Sequence, residues 1–184
     1  MSVKIGSTPS LSVRPLTRWF THTEAGKGSG VEIISATPAE LVVLLADGEI
    51  AAALASSFEC FRTPGYAVVP GISLSSQGES ESVRAFAKVS WRKIESLALD
   101  TSAWTSSALL KILLVEQLNS YPAFINAAPD FDSMLASADA CLLTGDEGLL
   151  ADGAGLNVLD LGRAWLCLTG LPFVYACGSA NQIS

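Results

Sequence analysis

From Leu97 to Leu114 the chain reads LALDTSAWTSSALLKILL. A short apolar run closes on Asp100, hydroxyl residues crowd the next positions (Thr101, Ser102, Thr105, Ser106 and Ser107), and an apolar helical pattern begins. A helix N-terminus leaves backbone N–H groups unpaired and carries partial positive charge. Small hydroxyl side chains at such a junction either cap the helix or hold an anion. The segment therefore predicts an anion cradle between a strand and a helix.

Other reactive groups are scarce. His22 is the only histidine, and it abuts the glycine-containing stretch 23–30, which reads as a surface loop. No serine has an evident histidine partner, so nucleophilic catalysis of the triad kind is poorly served. Cys60, Cys141, Cys167 and Cys177 are scattered in apolar contexts with no CxxC spacing, which predicts free thiols in or near the core. One histidine and no paired cysteines leave no ligand set for a zinc site of the usual kind. Glu59 reads as a solvated or first-turn helix carboxylate, and Trp91, Trp104 and Trp165 read as packing residues. No side chain stands out as a general base.

The composition agrees with a small-molecule partner. The net charge of −7 and the lack of any basic run exclude the usual nucleic-acid binder. With 49% hydrophobic and 16% charged residues, the 184-residue chain can build a core, as one domain or two small ones. No stretch of 18 apolar residues predicts a membrane span, and MSVKIGSTPSLS lacks the apolar region of a signal peptide. A cytoplasmic protein, monomer or homodimer, is expected.

Positioning such groups requires an open sheet. Val3–Ser7, Val31–Ser35 and residues 50–55 read as strands, and residues 13–20 as a short helix. A second helix runs from Pro38 to Gly48, with Thr37 and Glu40 forming a capping box. This βαβαβ order predicts a mostly parallel sheet covered by helices. Residues 66–74 and 82–89 read as extended crossovers into a second lobe. There, strands at 97–99, 124–127 and 140–143 alternate with helices at 105–118 and 131–135, and a strand at 173–176 closes the chain. Ligands of open α/β sheets sit beyond the carboxyl ends of the strands. Those ends carry small polar groups, at residues 7–12, Ser56 and Ser57, 100–106, and Thr144-Gly145-Asp146.

Six segments together resemble a known family. They are LSVRPL (11–16), AELVVLLADGEIAAALASSFE (39–59), YAVVPGISLSSQGESESVRAF (66–86), LALDTSAWTSSALLKILL, ADACLLTGDEGLL (138–150) and LDLGRAWLCLTGLPFVYA (159–176). The last is the most specific, since Gly162-Arg163-Ala164-Trp165 followed by Thr169-Gly170-Leu171-Pro172-Phe173 has no simple compositional origin. The chain resembles the chorismate dehydratases of the futalosine route to menaquinone, a family with a periplasmic-binding-protein-like fold. The resemblance implies a two-lobed α/β fold of type II with its ligand cleft between the lobes. Residues 1–82 with a return strand at 173–184 would form one lobe and 83–172 the other. It implies chorismate as substrate and no cofactor. It assigns Ser82 to the catalytic contact near the reacting ring, Thr105 and Ser106 to a substrate carboxylate, and Ser12, Ser57, Gly145 and Asp146 to further substrate binding. Asp146 would alternatively cap the helix that follows it.

The chain differs from the family pattern at Ser12, at Ala103-Trp104 and at Ser56, which stands where the family has a proline before Ser57. Ser12 stands where the family carries an asparagine, giving one donor on a shorter arm in place of an amide. Ala103-Trp104 replaces Ser-Arg beside the cradle, removing a cation. The chain also ends soon after LPFVYA, where family members continue with C-terminal helices, so a shortened C-terminal part is expected. These differences would also suit a non-catalytic small-anion binder on the same scaffold.

Overall fold

The structure, a computed structural model, describes residues 2–62 and 65–181. The chain forms two compact units, with the boundaries between Leu74 and Ser75 and between Phe173 and Val174.

The first unit opens with β1 (Val3–Ser7), α1 (Arg14–His22), α2 (Glu24–Lys27) and β2 (Val31–Ser35). It continues through α3 (Pro38–Ala46), β3 (Ala52–Ser56), α4 (Ser57–Arg62) and β4 (Tyr66–Ser76). The second unit holds β5 (Val83–Ala87), β6 (Ser96–Asp100), α5 (Trp104–Leu113), β7 (Ala123–Ala127) and α6 (Phe131–Ser137). After them come β8 (Ala140–Thr144), α7 (Gly145–Leu150), β9 (Asn157–Asp160) and α8 (Leu161–Thr169). The last strand, β10 (Phe173–Asn181), carries the chain back into the first unit.

Local chemistry explains the first unit. The capping box forms: the Thr37 hydroxyl accepts from Glu40 N at 3.3 Å, and Thr37 N donates to the Glu40 carboxylate at 2.8 Å. Pro38 occupies the first helical turn, and Gly48 (φ 71°) ends the helix in a left-handed conformation most side chains resist. β1 pairs parallel to both β2 and β3, and β10 runs antiparallel to β3, giving the order β2-β1-β3-β10-β4. Leu41, Leu45, Ile50 and Ala53 form the core between α3 and this sheet. A Cβ at Gly6 would lie 2.5 Å from a Leu41 methyl, so any larger residue in β1 would force the side chains beneath α3 to shift.

The second sheet has the order β7-β6-β8-β5-β9. β6 lies parallel to β7 and β8, while β5 is antiparallel to β8 and β9. Its core joins Phe86, Ala98, Met134, Ala138, Cys141 and Leu143. The Phe86 ring meets Phe131 edge-on at 5.0 Å. Burial pushes the Cys141 thiol up to about 12, which makes it a small apolar side chain at neutral pH.

Several expectations change. Residues 82–89 do not cross between units: β5 is an interior strand of the second sheet, and the passages fall within β4 and β10. The stretch 23–30 contains α2, because Thr23 accepts from Gly26 N at 3.0 Å and starts a short helix. The helix expected at 105–118 is α only to Leu113 and continues as a π-helical turn to Leu118. Of the thiols, Cys141 and Cys177 are buried and Cys60 half-buried, but Cys167 is exposed. Among the described residues no helix is long and apolar enough to cross a membrane.

Asp139 ties β6 to the start of β8. Its carboxylate accepts from Glu95 N (2.9 Å), Ser96 N (3.0 Å) and the Ser96 hydroxyl (3.0 Å). The Glu95 amide, then the Ser96 groups, hold this carboxyl below the usual range. A depressed folded-state value stabilises the fold above the unfolded carboxyl's own pKa, about 3.9, and that contribution is lost as pH falls through the folded value. Asp139→Asn should therefore be less stable than the parent in urea at pH 7, with the gap closing toward pH 2. A constant gap would show that the charge is not what matters.

Candidate functional site

The second unit gathers five of the seven expected site residues at one end of its sheet. Val83 pairs with Thr144 and Leu99 with Leu142, so the start of β5 and the carboxyl ends of β6 and β8 lie side by side. Ser82 immediately precedes β5, Gly145 and Asp146 open α7, and Thr105 and Ser106 lie in the first turn of α5. Helix α7 packs directly on Ser82: a Cβ at Gly148 would sit 2.3 Å from the Ser82 carbonyl oxygen. The obstruction is backbone and cannot rotate away. Gly148→Ala should cost about 1–3 kcal/mol, a fall in Tm of roughly 2–10 °C, read by calorimetry; an unchanged Tm would contradict the close approach.

Ser82 is half-buried, and its hydroxyl has no hydrogen-bond partner among the described residues. The preceding residue, Glu81, takes φ 57°, a left-handed conformation costing a non-glycine residue on the order of 1 kcal/mol or more. Asp160 holds that turn. Its carboxylate accepts from Ser80 N (3.0 Å), the Ser80 hydroxyl (3.1 Å) and Glu81 N (2.9 Å). It also accepts from Arg163 N (3.0 Å), which caps α8. One side chain thus fixes both the segment leading to Ser82 and the helix bearing the Gly-Arg-Ala-Trp motif. Arg84 does comparable work for α7: its guanidinium donates to the carbonyls of Gly148, Leu149 and Ala151, where the helix dipole is negative. Sequence reading missed both residues, although Asp160 sits where an N-cap before LGRAW would be sought.

The start of α5 is uncapped by any side chain. Its N-cap is Ala103, and the first turn holds no acidic residue. Thr105 and Ser106 are buried at the second and third helical positions and therefore do not serve as N-caps. Asp100 is engaged by Ser102, whose N–H (2.9 Å) and hydroxyl (2.7 Å) both donate to it. The Ser106 hydroxyl has no partner among the described residues. Hydroxyls of largely buried residues beside a helix N-terminus with no acidic residue in its first turn are a chemically sound seat for a carboxylate. Asp146 is exposed in the first turn of α7; the N-cap there is Thr144, so the capping alternative for Asp146 does not hold.

The other two residues lie in the first unit. Ser57 opens α4, is buried, and donates to Val174 O at 2.6 Å. Ser12 is exposed in the 3-10 turn Leu11–Val13, at the end of a hydroxyl chain from Thr8 to Ser10 (3.1 Å) to Ser12 (3.2 Å). Nearby, Arg14, Arg18 and His22 line a recess of about 340 Å³ with Ser7, Thr8 and Ser35. Neither guanidinium makes an ion pair among the described residues. The i, i+4, i+8 spacing of these basic residues is the signal that the sequence carries for this recess.

Glu59 corrects an expectation. It is fully buried in the first turn of α4, and the Arg62 guanidinium binds both its oxygens at 2.6 to 3.1 Å. A first-turn helix position holds, but a solvated one does not. His22 is exposed as expected, with Nδ1 2.7 Å from the Thr21 hydroxyl. Among the described residues no group of three or more His, Cys, Asp or Glu side chains is arranged to hold a metal.

A chorismate dehydratase of Thermus thermophilus is 31% identical over 171 residues, 80% of this chain and 60% of that protein. The chain thus spans about three-fifths of that relative's length. A crystallised protein of Archaeoglobus fulgidus superposes with a TM-score of 0.71 at 19% identity, over all of this chain and 69% of that one. The periplasmic aliphatic sulphonate binding protein of Escherichia coli does so at 0.67 and 14% identity, over 98% and 61%. The fold is accordingly the two-lobed, type II periplasmic-binding-protein-like α/β fold. The profile of the family described as menaquinone biosynthesis matches residues 3–182, and the chain belongs to that family.

Proposed function

We propose that the chain acts as a chorismate dehydratase, a cofactor-independent hydro-lyase of the cytoplasm. It would remove the C4 hydroxyl and a ring proton from chorismate, giving 3-[(1-carboxyvinyl)oxy]benzoate and water on the futalosine route to menaquinone. The observation that carries this reading is the juxtaposition in the second unit of Ser82, whose hydroxyl has no partner among the described residues, with the turn at Gly145 and Asp146 at the end of the sheet that also bears the uncapped α5.

Chorismate is a dicarboxylate with a hydroxylated ring, and each feature has a counterpart. The first turn of α5, with Thr105 and Ser106, seats a carboxylate. Ser82 contacts the reacting ring and steadies the departing hydroxyl. Gly145 and Asp146 complete the polar edge at that end of the second unit, and the family resemblance assigns Ser12 and Ser57 of the first unit to substrate binding as well. The ring gains aromatic stabilisation as water leaves, so positioning and fixed dipoles suffice without a strong base. A carboxylate of the substrate itself accepts the proton. That assignment is motivated by the absence of a well-placed histidine and by the engagement of Glu59 with Arg62.

The purified chain should be incubated with chorismate while the diene absorbance is followed and the benzoate product is detected by mass. Loss of diene with product formation is the expected outcome. Binding without turnover would replace this reading with that of a small-anion binder, consistent with Ser12 and Ala103-Trp104. Neither binding nor turnover would overturn both.

A further inference from the structure

The return strand and α4 bring two thiols together. β10 pairs with β3 so that Cys177 lies beside Ala55, and α4 begins as soon as β3 ends. One turn into α4, Cys60 comes back over β10, and its sulfur stands 3.3 Å from that of Cys177. The fully buried Ser179 hydroxyl lies 3.1 Å from the Cys60 sulfur and 3.9 Å from that of Cys177. A disulfide requires about 2.05 Å between sulfurs, so the two sulfurs stand just beyond bonding distance. We infer that Cys60 and Cys177 form a site of reversible oxidation, joined by peroxide into an intrachain disulfide that pins α4 to β10.

The two thiols play different parts. Cys60 is half-buried and so reachable, whereas Cys177 is buried. Burial and the neighbouring Cys60 push the Cys177 thiol up to about 11, so it is protonated at neutral pH. The Cys60 sulfur attacks one peroxide oxygen, breaks the O–O bond, becomes a sulfenic acid and releases water. The Cys177 sulfur then attacks the oxidised Cys60 sulfur. The S–S bond forms, the S–O bond breaks, and hydroxide leaves with the Cys177 proton as a second water. Two thiols lose two electrons and one peroxide is reduced to two waters. The exposed Cys167 has no such neighbour among the described residues, and Cys141 is sealed in the other unit's core.

The test treats the whole native chain with dilute hydrogen peroxide, alkylates remaining thiols, and maps peptides without reductant. The expected result is a single cross-link between the Cys60 and Cys177 peptides, a loss of two hydrogen masses, and full reversal by dithiothreitol. Cys177→Ser should trap the intermediate, so dimedone labels Cys60 in that variant and not in the parent. The proposal is overturned if both thiols remain alkylatable, if Cys60 over-oxidises without a cross-link, or if the bridges formed involve Cys167.

Discussion

Ser82→Ala should lower chorismate turnover by about 10²- to 10³-fold with little change in KM, the loss typical of removing one preorganised donor from developing negative charge. The hydroxyl has no partner among the described residues, so its removal breaks no described hydrogen bond. The turn before it is held through the main chain and Ser80 by Asp160, and the variant leaves those contacts in place. Steady-state kinetics with an unfolding curve would separate chemistry from folding. A variant with parental kcat would remove Ser82 from the reaction. A variant with a raised KM alone would make it a binding residue.

The second large effect is expected at α5. Replacing Ser106 with alanine and Thr105 with valine removes both hydroxyls from the proposed carboxylate seat while nearly conserving volume. A hydrogen bond to a charged group contributes about 1.5–3 kcal/mol. Each loss should therefore raise KM about 10- to 100-fold, with kcat less affected. Ser106→Ala is the cleaner arm, because that hydroxyl has no partner among the described residues. The seat also depends on helix geometry, since Ala103 supplies no capping side chain. Adding Ala103→Asp should compete with substrate by placing a carboxylate at the dipole, raising KM further while stabilising the helix. If the single and double replacements leave KM unchanged, the carboxylate is held elsewhere, and the recess lined by Arg14 and Arg18 becomes the place to look.

Local chemistry explains which parts of the fold were readable from residues alone. β1 and β2 fall on the expected residues because each is a short apolar run between turn-forming residues. α3 was legible because its capping box and terminal glycine are spelled within a few positions. The cap at Asp130 was equally visible, and its side chain accepts from Ser133 N at 2.9 Å. By contrast, LGRAWLCLTG carried the family resemblance without announcing α8, and α7 was signalled only by the capping alternative for Asp146, one residue beyond its true start. Short helices that pack against a sheet owe their stability to that packing more than to intrinsic propensity.

The site divides along the same line. The hydroxyl-rich junction at Asp100 and the small residues at the strand ends were apparent in the sequence, as was the family that they resemble. Which of them meet was not. Ser82 and Gly145 are 63 positions apart, and only the antiparallel register of β5 against β8 places them together. The burial of Glu59 against Arg62, the grip of Asp160 on the turn before Ser82, and the approach of Cys60 to Cys177 likewise depend on partners brought in by other elements or on burial that no local pattern encodes. By itself the sequence determined the order of most elements, their caps and the chemical character of the strand ends, because those depend on interactions within a turn or two. The tertiary structure alone decided which polar groups are desolvated, paired or left available, because strand register and helix packing join residues the chain keeps far apart.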